Sequence, residues 1–373
     1  MSNQLHVVTG DATGGKTTAG LRAGGMGTLR GTGRPTMKDV ASRAGVALKT
    51  VSRVVNGEPG VTPETAQRVL GAIEDLGFRR NESARLLRTG RTATLGFIAD
   101  TWADPDLTGV YRGLEDVIRQ HGYLLYSGST DSDPAREERL ALAMCARRVD
   151  GLIIAPTPGS HDYLVSEIEA GVAAVFVLRP PELVRSDAVL PDERAGGRAA
   201  IAHLIEHGHR RIGLLGGAPA NSPGGSSRFR ELLAGYMEAM TSARLPTDPA
   251  WTALSAGDLP HAPVTAVCCA HPAQTRAALR ALASAGLTGA GVTGSGLPAS
   301  GPQRMAIIGF GDFESADLLA PPVTVVSYDP VLIGRTAGEL LIRRMAGEQG
   351  PPRRVEVPVR LIVRGSAEFP PEG

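Results

Sequence analysis

The hydrophobic positions follow two different periods along the chain. Between Met37 and Leu76 the apolar residues recur three or four apart: Val40, Ala41 and Ala44, then Val51, Val54 and Val55, then Val69, Ile73 and Leu76. That spacing lines one face of a helix and predicts three short helices in succession. Gly45 separates the first two and can take the positive φ of a tight turn, while Val46 plugs the space between them. Thr36 stands where it can cap the first helix. Thr62-Pro63-Glu64 opens the third with a side-chain cap, a proline at the first helical position and an acid near the positive dipole end, and Gly77 stops it. Beyond residue 91 the period shortens. TATLGFIAD, GYLLYSGST, DGLIIAP, AAVFVL, RIGLLGG, AVCCA and MAIIGF are brief apolar runs bounded by Gly, Pro or Asp, with helical stretches between them. Alternation of this kind predicts β-α units in parallel sheets, with ligands at the carboxyl ends of strands.

Composition narrows this picture. A chain of 373 residues divides into two or three domains. Hydrophobic residues make up 42% and aromatics 4%, so the core is built from Ala, Val, Leu and Ile, which suits helices on parallel strands. The net charge of +1 hides an asymmetry. Residues 34–90 carry ten Lys/Arg against six Asp/Glu, a net of +4 by subtraction, so the remainder sums to −3. Cys145, Cys268 and Cys269 include an adjacent pair and no CxxC, which suggests neither a disulfide framework nor a zinc site. Nothing in the sequence calls for a cofactor. The absence of a long apolar run and of a signal-like N-terminus leads to the expectation of a cytoplasmic protein away from membranes.

Residues 1–34 read as a flexible extension. Within it GDATGGKT, from Gly10 to Thr17, matches the phosphate-cradling GxxxxGK[ST] pattern. The glycine-rich AGLRAGGMGTLRGTG that follows discourages the helix whose N-terminal amides a phosphate needs, so an ATP-using enzyme is the weaker reading.

The second short helix carries the chemistry. If it enters a major groove, Leu48, Lys49 and Arg53 point outward together. Arg53 can pair with guanine, Lys49 can reach a base or phosphate, and Leu48 can pack on a base edge. Thr36, Thr50, Ser52 and Asn56 are suited to phosphates. With DVASRAGVALKTVSRVVNG followed by VTPETAQRVLGAIEDLGFRRN, the segment resembles the head of the lactose/galactose-repressor (LacI/GalR) family of bacterial regulators. The resemblance implies a helix-turn-helix domain over 35–79 and a homodimer reading near-palindromic operator DNA. It also implies a hinge over 80–91, in which Asn81 caps a short helix, Ala84 faces the minor-groove floor and Leu87 wedges between base pairs. Two positions depart from the family pattern: Ala47 where a capping serine is usual, and Arg80 where proline is usual.

The similarity continues through 92–366, with residues 367–373 as a tail. It implies a two-lobed, periplasmic-binding-protein-like sensor joined by three crossovers, with a small-molecule effector between the lobes. Here the family's usual groups are missing. Leu232 stands in place of an arginine, the CAND-like motif reads CAHP with His271, and the GFDD-like turn reads Gly309-Phe310-Gly311-Asp312. A pocket without those groups is poorly equipped to repay sugar desolvation. Three alternatives stay open: a more apolar effector, a ligand held by Trp102, Asp106, Thr157 or Arg179, or a lobe that only dimerises. The function expected is therefore transcription regulation, as a repressor rather than an activator and not as an enzyme. A transport solute-binding protein shares the body but would not carry the basic head.

Overall fold

A computed structural model describes residues 35–79, 91–102, 104–216, 227–286 and 305–371. The chain divides into two compact units, residues 1–81 and 82–373.

The first unit holds the three expected helices, α1 (Met37–Ala44), α2 (Leu48–Asn56) and α3 (Pro63–Leu76). Each presents one apolar stripe, and the stripes close on one another: Val40, Val51 and Val69 are fully buried, with Ala41, Ala72 and Phe78 around them. Gly45 adopts φ 64° and its N–H bonds back to α1, which reverses the chain within a few residues. Thr62 Oγ1 accepts from Thr65 N at 3.4 Å to start α3.

The second unit is two parallel-stranded lobes. In the first lobe β1 (Thr94–Ala99), β2 (Leu124–Ser129), β3 (Gly151–Ile154), β4 (Ala173–Val177), β5 (Asp187–Pro191) and β10 (Arg354–Val357) lie in the order β10-β5-β4-β3-β1-β2. Helices α4 (Pro105–Gln120), α5 (Pro134–Ala146) and α6 (Val165–Glu169) connect its early strands. In the second lobe β6 (Ile212–Leu215), β7 (Ala266–Cys269), β8 (Ala306–Phe310), β9 (Thr324–Tyr328) and β11 (Val359–Ile362) lie in the order β11-β9-β8-β7-β6. Its helices are α7 (Glu193–Glu206), α8 (Ser227–Ser242) and α9 (Pro272–Ser284), and α10 (Pro330–Met345) returns to the first lobe. The inner strands β1, β3, β5, β7, β8 and β9, and β6 at the edge of the second sheet, are buried along their whole length, as continuous apolar runs predict for sheets covered on both faces.

The chain passes between lobes after β5, after β9 and at Pro358 between β10 and β11. The last passage explains one difference from an all-parallel expectation: β10 is parallel to β5, but β11 is antiparallel to β9. The carboxyl ends of both sets of strands face the boundary between the lobes, so a segment that runs straight across is parallel in one sheet and antiparallel in the other. Helices α4 and α10 approach until their backbones touch. A Cβ added at Gly334 would run into the Val110 carbonyl, and one at Gly113 into that of Val331.

The division at residue 366 needs correction. Ala367 is fully buried, and His209 Nε2 lies 3.0 Å from the Phe369 carbonyl. Ser366 Oγ donates to the Ile307 carbonyl at 2.6 Å. Residues 367–369 are thus part of the second lobe, because strand β8 and α7 need them to close their core.

Candidate nucleic-acid interface and ligand cleft

In the head, burial of Val51 fixes the rotation of α2 and turns the opposite face outward. Leu48 is 45% exposed, Lys49 is exposed, and Arg53, one turn on, is half-buried. Arg53 Nη1 lies 3.7 Å from where a Cβ on Gly60 would stand, so the guanidinium runs beside the turn that follows α2. The three expected groove residues therefore share one surface. Ala47 occupies the N-cap of α2 without any side-chain acceptor for the first-turn amides.

The expected phosphate contacts divide. Thr50 and Ser52 are half-buried beside that surface. Asn56 is not placed as a phosphate donor, since its Nδ2 donates to Ser52 Oγ at 3.2 Å and to Glu58 Oε1 at 3.0 Å. Thr36 is exposed but engaged in the cap of α1: its N–H and Oγ1 donate to Asp39 Oδ2 at 2.8 and 2.7 Å, and that carboxylate would repel a phosphate. Asn81, Ala84 and Leu87 lie outside the described residues.

In the body, the expected ligand residues lie at strand ends, and one of them, Asp106, meets the other lobe. Trp102 is 43% exposed, and its ring stands edge-on to Phe97 and Tyr111, with centroids 5.8 and 5.9 Å away. Asp106, on the first turn of α4, accepts the Tyr328 hydroxyl from the second lobe. Thr157 is buried, and its N–H donates to Glu137 Oε2 at 2.6 Å. Arg179 Nη1 reaches the Pro156 carbonyl at 3.3 Å. His271 is the N-cap of α9, which sets it at the end of β7 as the sequence implied.

Two expected ligand contacts are placed otherwise. Leu232 is 2% exposed and packs against Gly197, so it is a core residue of the second lobe. Asp312 is bound at both oxygens by Arg364, at 2.8 and 2.6 Å. Burial works against its ionisation, but the hydrogen bonds and charge of Arg364 outweigh that and hold its carboxyl below the usual range. It fastens β8 to the segment after β11.

Sequence reasoning missed the groups behind the cleft. Glu137, 1% exposed, accepts from Thr157 N–H and from Tyr163 Oη at 2.7 Å, with His161 Nε2 at 3.3 Å. His161 Nδ1 accepts the Glu182 N–H at 3.0 Å, so the ring proton resides on Nε2. Burial alone would raise the Glu137 pKa, but the His161, Thr157 and Tyr163 hydrogen bonds carry it below the ordinary value. This network ties the ends of β3 and β4 together beneath Thr157 and Arg179. Tyr328 was missed too, although its place at the end of β9, just before Asp329-Pro330, marks it as a strand-end residue.

Comparison with known proteins agrees with both units. Residues 36–81 match the model of bacterial regulatory proteins of the lacI family, and residues 201–367 that of a periplasmic-binding-protein-like domain. The HTH-type transcriptional regulator CelR of Thermobifida fusca is 33% identical over 361 residues, covering 89% of this chain and 98% of its own. Among solved structures, a CelR–cellobiose complex is 30% identical with a TM-score of 0.60, covering 89% of this chain and all of that one. The lac repressor dimer bound to operator and the anti-inducer ONPF has the same fold, with a TM-score of 0.72 at 23% identity, covering 90% and 100%.

Proposed function

Because the chain belongs to the lacI family of bacterial regulatory proteins and is a DNA-binding transcription regulator, we propose that it represses by occupying a near-palindromic operator as a homodimer. The observation that carries this reading is the outward face of α2, where Leu48, Lys49 and Arg53 stand clear of the core that Val51 anchors. The basic charge of the head supplies attraction to phosphates, and the three outward side chains supply base readout. Such a head competes with other proteins for the DNA it covers, which favours repression. The protein acts in the cytoplasm, where the DNA is.

Pairing is supported by the first lobe's edge. Strand β2 ends the sheet, and Leu124 and Tyr126 on it are 65% and 51% exposed. In the second lobe Leu318 is 79% exposed. An edge strand with unpaired backbone groups and large apolar side chains calls for a covering surface, and a second copy supplies the same patch in return. The effector cleft lies between the lobes, around Trp102, Asp106, Thr157 and Arg179. Cellobiose is the ligand of the CelR complex. Here the absence of an acid at Gly311 argues for a ligand with fewer hydroxyl contacts.

Selection of bound sequences from a random duplex pool, with full-length protein at a fixed salt concentration, tests the main reading. Enrichment of a palindrome is expected. Absence of any enriched motif, with the protein folded, would overturn it.

A further inference from the structure

The cleft contains a contact that a ligand-binding site does not require. Tyr328, the last residue of β9 in the second lobe, donates its hydroxyl to Asp106 Oδ2 on the first turn of α4 in the first lobe. Both partners are held before they meet. The Asp106 N–H donates to Asp104 Oδ1 at 3.0 Å, which fixes the first turn of α4. Tyr328 is 7% exposed, and its ring lies 6.2 Å from that of Phe310.

The wall opposite Asp106 is backbone. Gly311 turns the chain after β8 with φ 84°, and a Cβ there would come 2.9 Å from Pro272 Cγ and 3.7 Å from Asp106 Oδ2. An aspartate at 311, the residue the family pattern leads one to expect, would press on Pro272 and set a second carboxylate against the first. Positions 106 and 311 are therefore complementary: an acid in one lobe faces a position without a side chain in the other. Tyr328 donates to the acid that the first lobe supplies.

We propose that the Tyr328–Asp106 hydrogen bond substitutes for a ligand and holds the two lobes closed in the protein alone. The second step, which rests on the repressor reading above, assigns DNA binding to the closed form. A small molecule that enters must separate Tyr328 from Asp106, so it acts as an inducer and not as a corepressor. A bond to a charged acceptor, between groups already held in place, is strong enough to shift a two-state equilibrium about tenfold.

The test is the distance between the lobes, measured by double electron–electron resonance on the full-length protein without DNA or added small molecule. Spin labels are attached at Arg139→Cys on α5 and Arg280→Cys on α9, both exposed positions, while Cys145, Cys268 and Cys269 are buried. With doubly labelled chains diluted into excess unlabelled protein, so that a homodimer carries one labelled copy, a single short distance is expected for the parent protein. Tyr328→Phe should add a longer distance, with the ratio of closed to open molecules falling about tenfold. Gly311→Asp should do the same. Should that variant fail to fold, Tyr328→Phe carries the test, since it removes one oxygen and keeps the ring. A parent protein with mainly long distances, or a Tyr328→Phe variant with an unchanged distribution, overturns the proposal. Since no DNA is present, this result does not depend on whether the head reads an operator. Binding of the selected duplex then tests the second step: affinity should fall with the loss of the closed form, and an unchanged affinity refutes the link.

Discussion

Arg53 and Asp312 show how differently two charged residues of similar promise are used. Arg53 sits on an outward helix face beside a glycine turn, with its guanidinium available to two acceptors at once. Arg53→Ala should lose about 1–3 kcal/mol of discrimination at one base pair of the half-site, while binding to random duplex weakens less. Competition between operator variants at constant salt measures the difference, and an equal loss on operator and random DNA would contradict the assigned role. Asp312 is bound at both oxygens by Arg364, so it braces the second lobe. Its position in a strand-end motif was legible in the sequence. The guanidinium that claims it, 52 residues further on, was not.

At the scale of elements, the head follows from local rules. Helix caps, a glycine at each helix end and a valine stripe specify three helices, and their own contacts bury the stripe. One rule is broken at Ala47, where α2 begins without a side-chain acceptor. Ala47→Ser should raise the stability of the head by about 1 kcal/mol, read as a shift in its thermal transition. Val51→Ala should do the opposite, by roughly 1–3 kcal/mol, since it opens a void at the centre of three helices. A Val51→Ala protein with an unshifted transition would show that α2 is held by something other than this core. In the body, the elements were legible as alternating strands and helices. The reversal of β11 was not, because strand direction depends on which lobe the chain is entering and not on the residues of the strand.

For the whole molecule, stability should fall toward acid for two reasons. His209 is buried in the second lobe, where burial carries its pKa below the ordinary value. An unfolded chain takes up that proton first, so stability from His209 is present above about pH 6.5 and is lost as the pH falls toward its folded pKa. Glu137 also titrates below its ordinary value in the folded protein, so its contribution holds above about pH 4.5 and drains away at lower pH. Thermal unfolding between pH 7.5 and 5 should show a declining transition temperature. His209→Gln should flatten that decline, and a decline of the same steepness would assign it to other groups. Removal of residues 1–34 should leave operator affinity unchanged. A fall in affinity on truncation would give the glycine-rich extension a role that its sequence does not suggest.

The sequence by itself determined the division into a basic helical head and an α/β body, the helix that presents Leu48, Lys49 and Arg53, and the strand ends where a ligand site belongs. These are properties of period, caps and turn residues, and each is decided within a few residues of chain. The tertiary structure decided which strand-end groups reach the cleft and which are taken by other partners. Leu232 went to the core, Asp312 to Arg364, and Asp106 to Tyr328, a partner 222 positions along the chain. Such pairings are set by how the chain crosses between two lobes, and a crossing brings together residues whose spacing in sequence carries no signal.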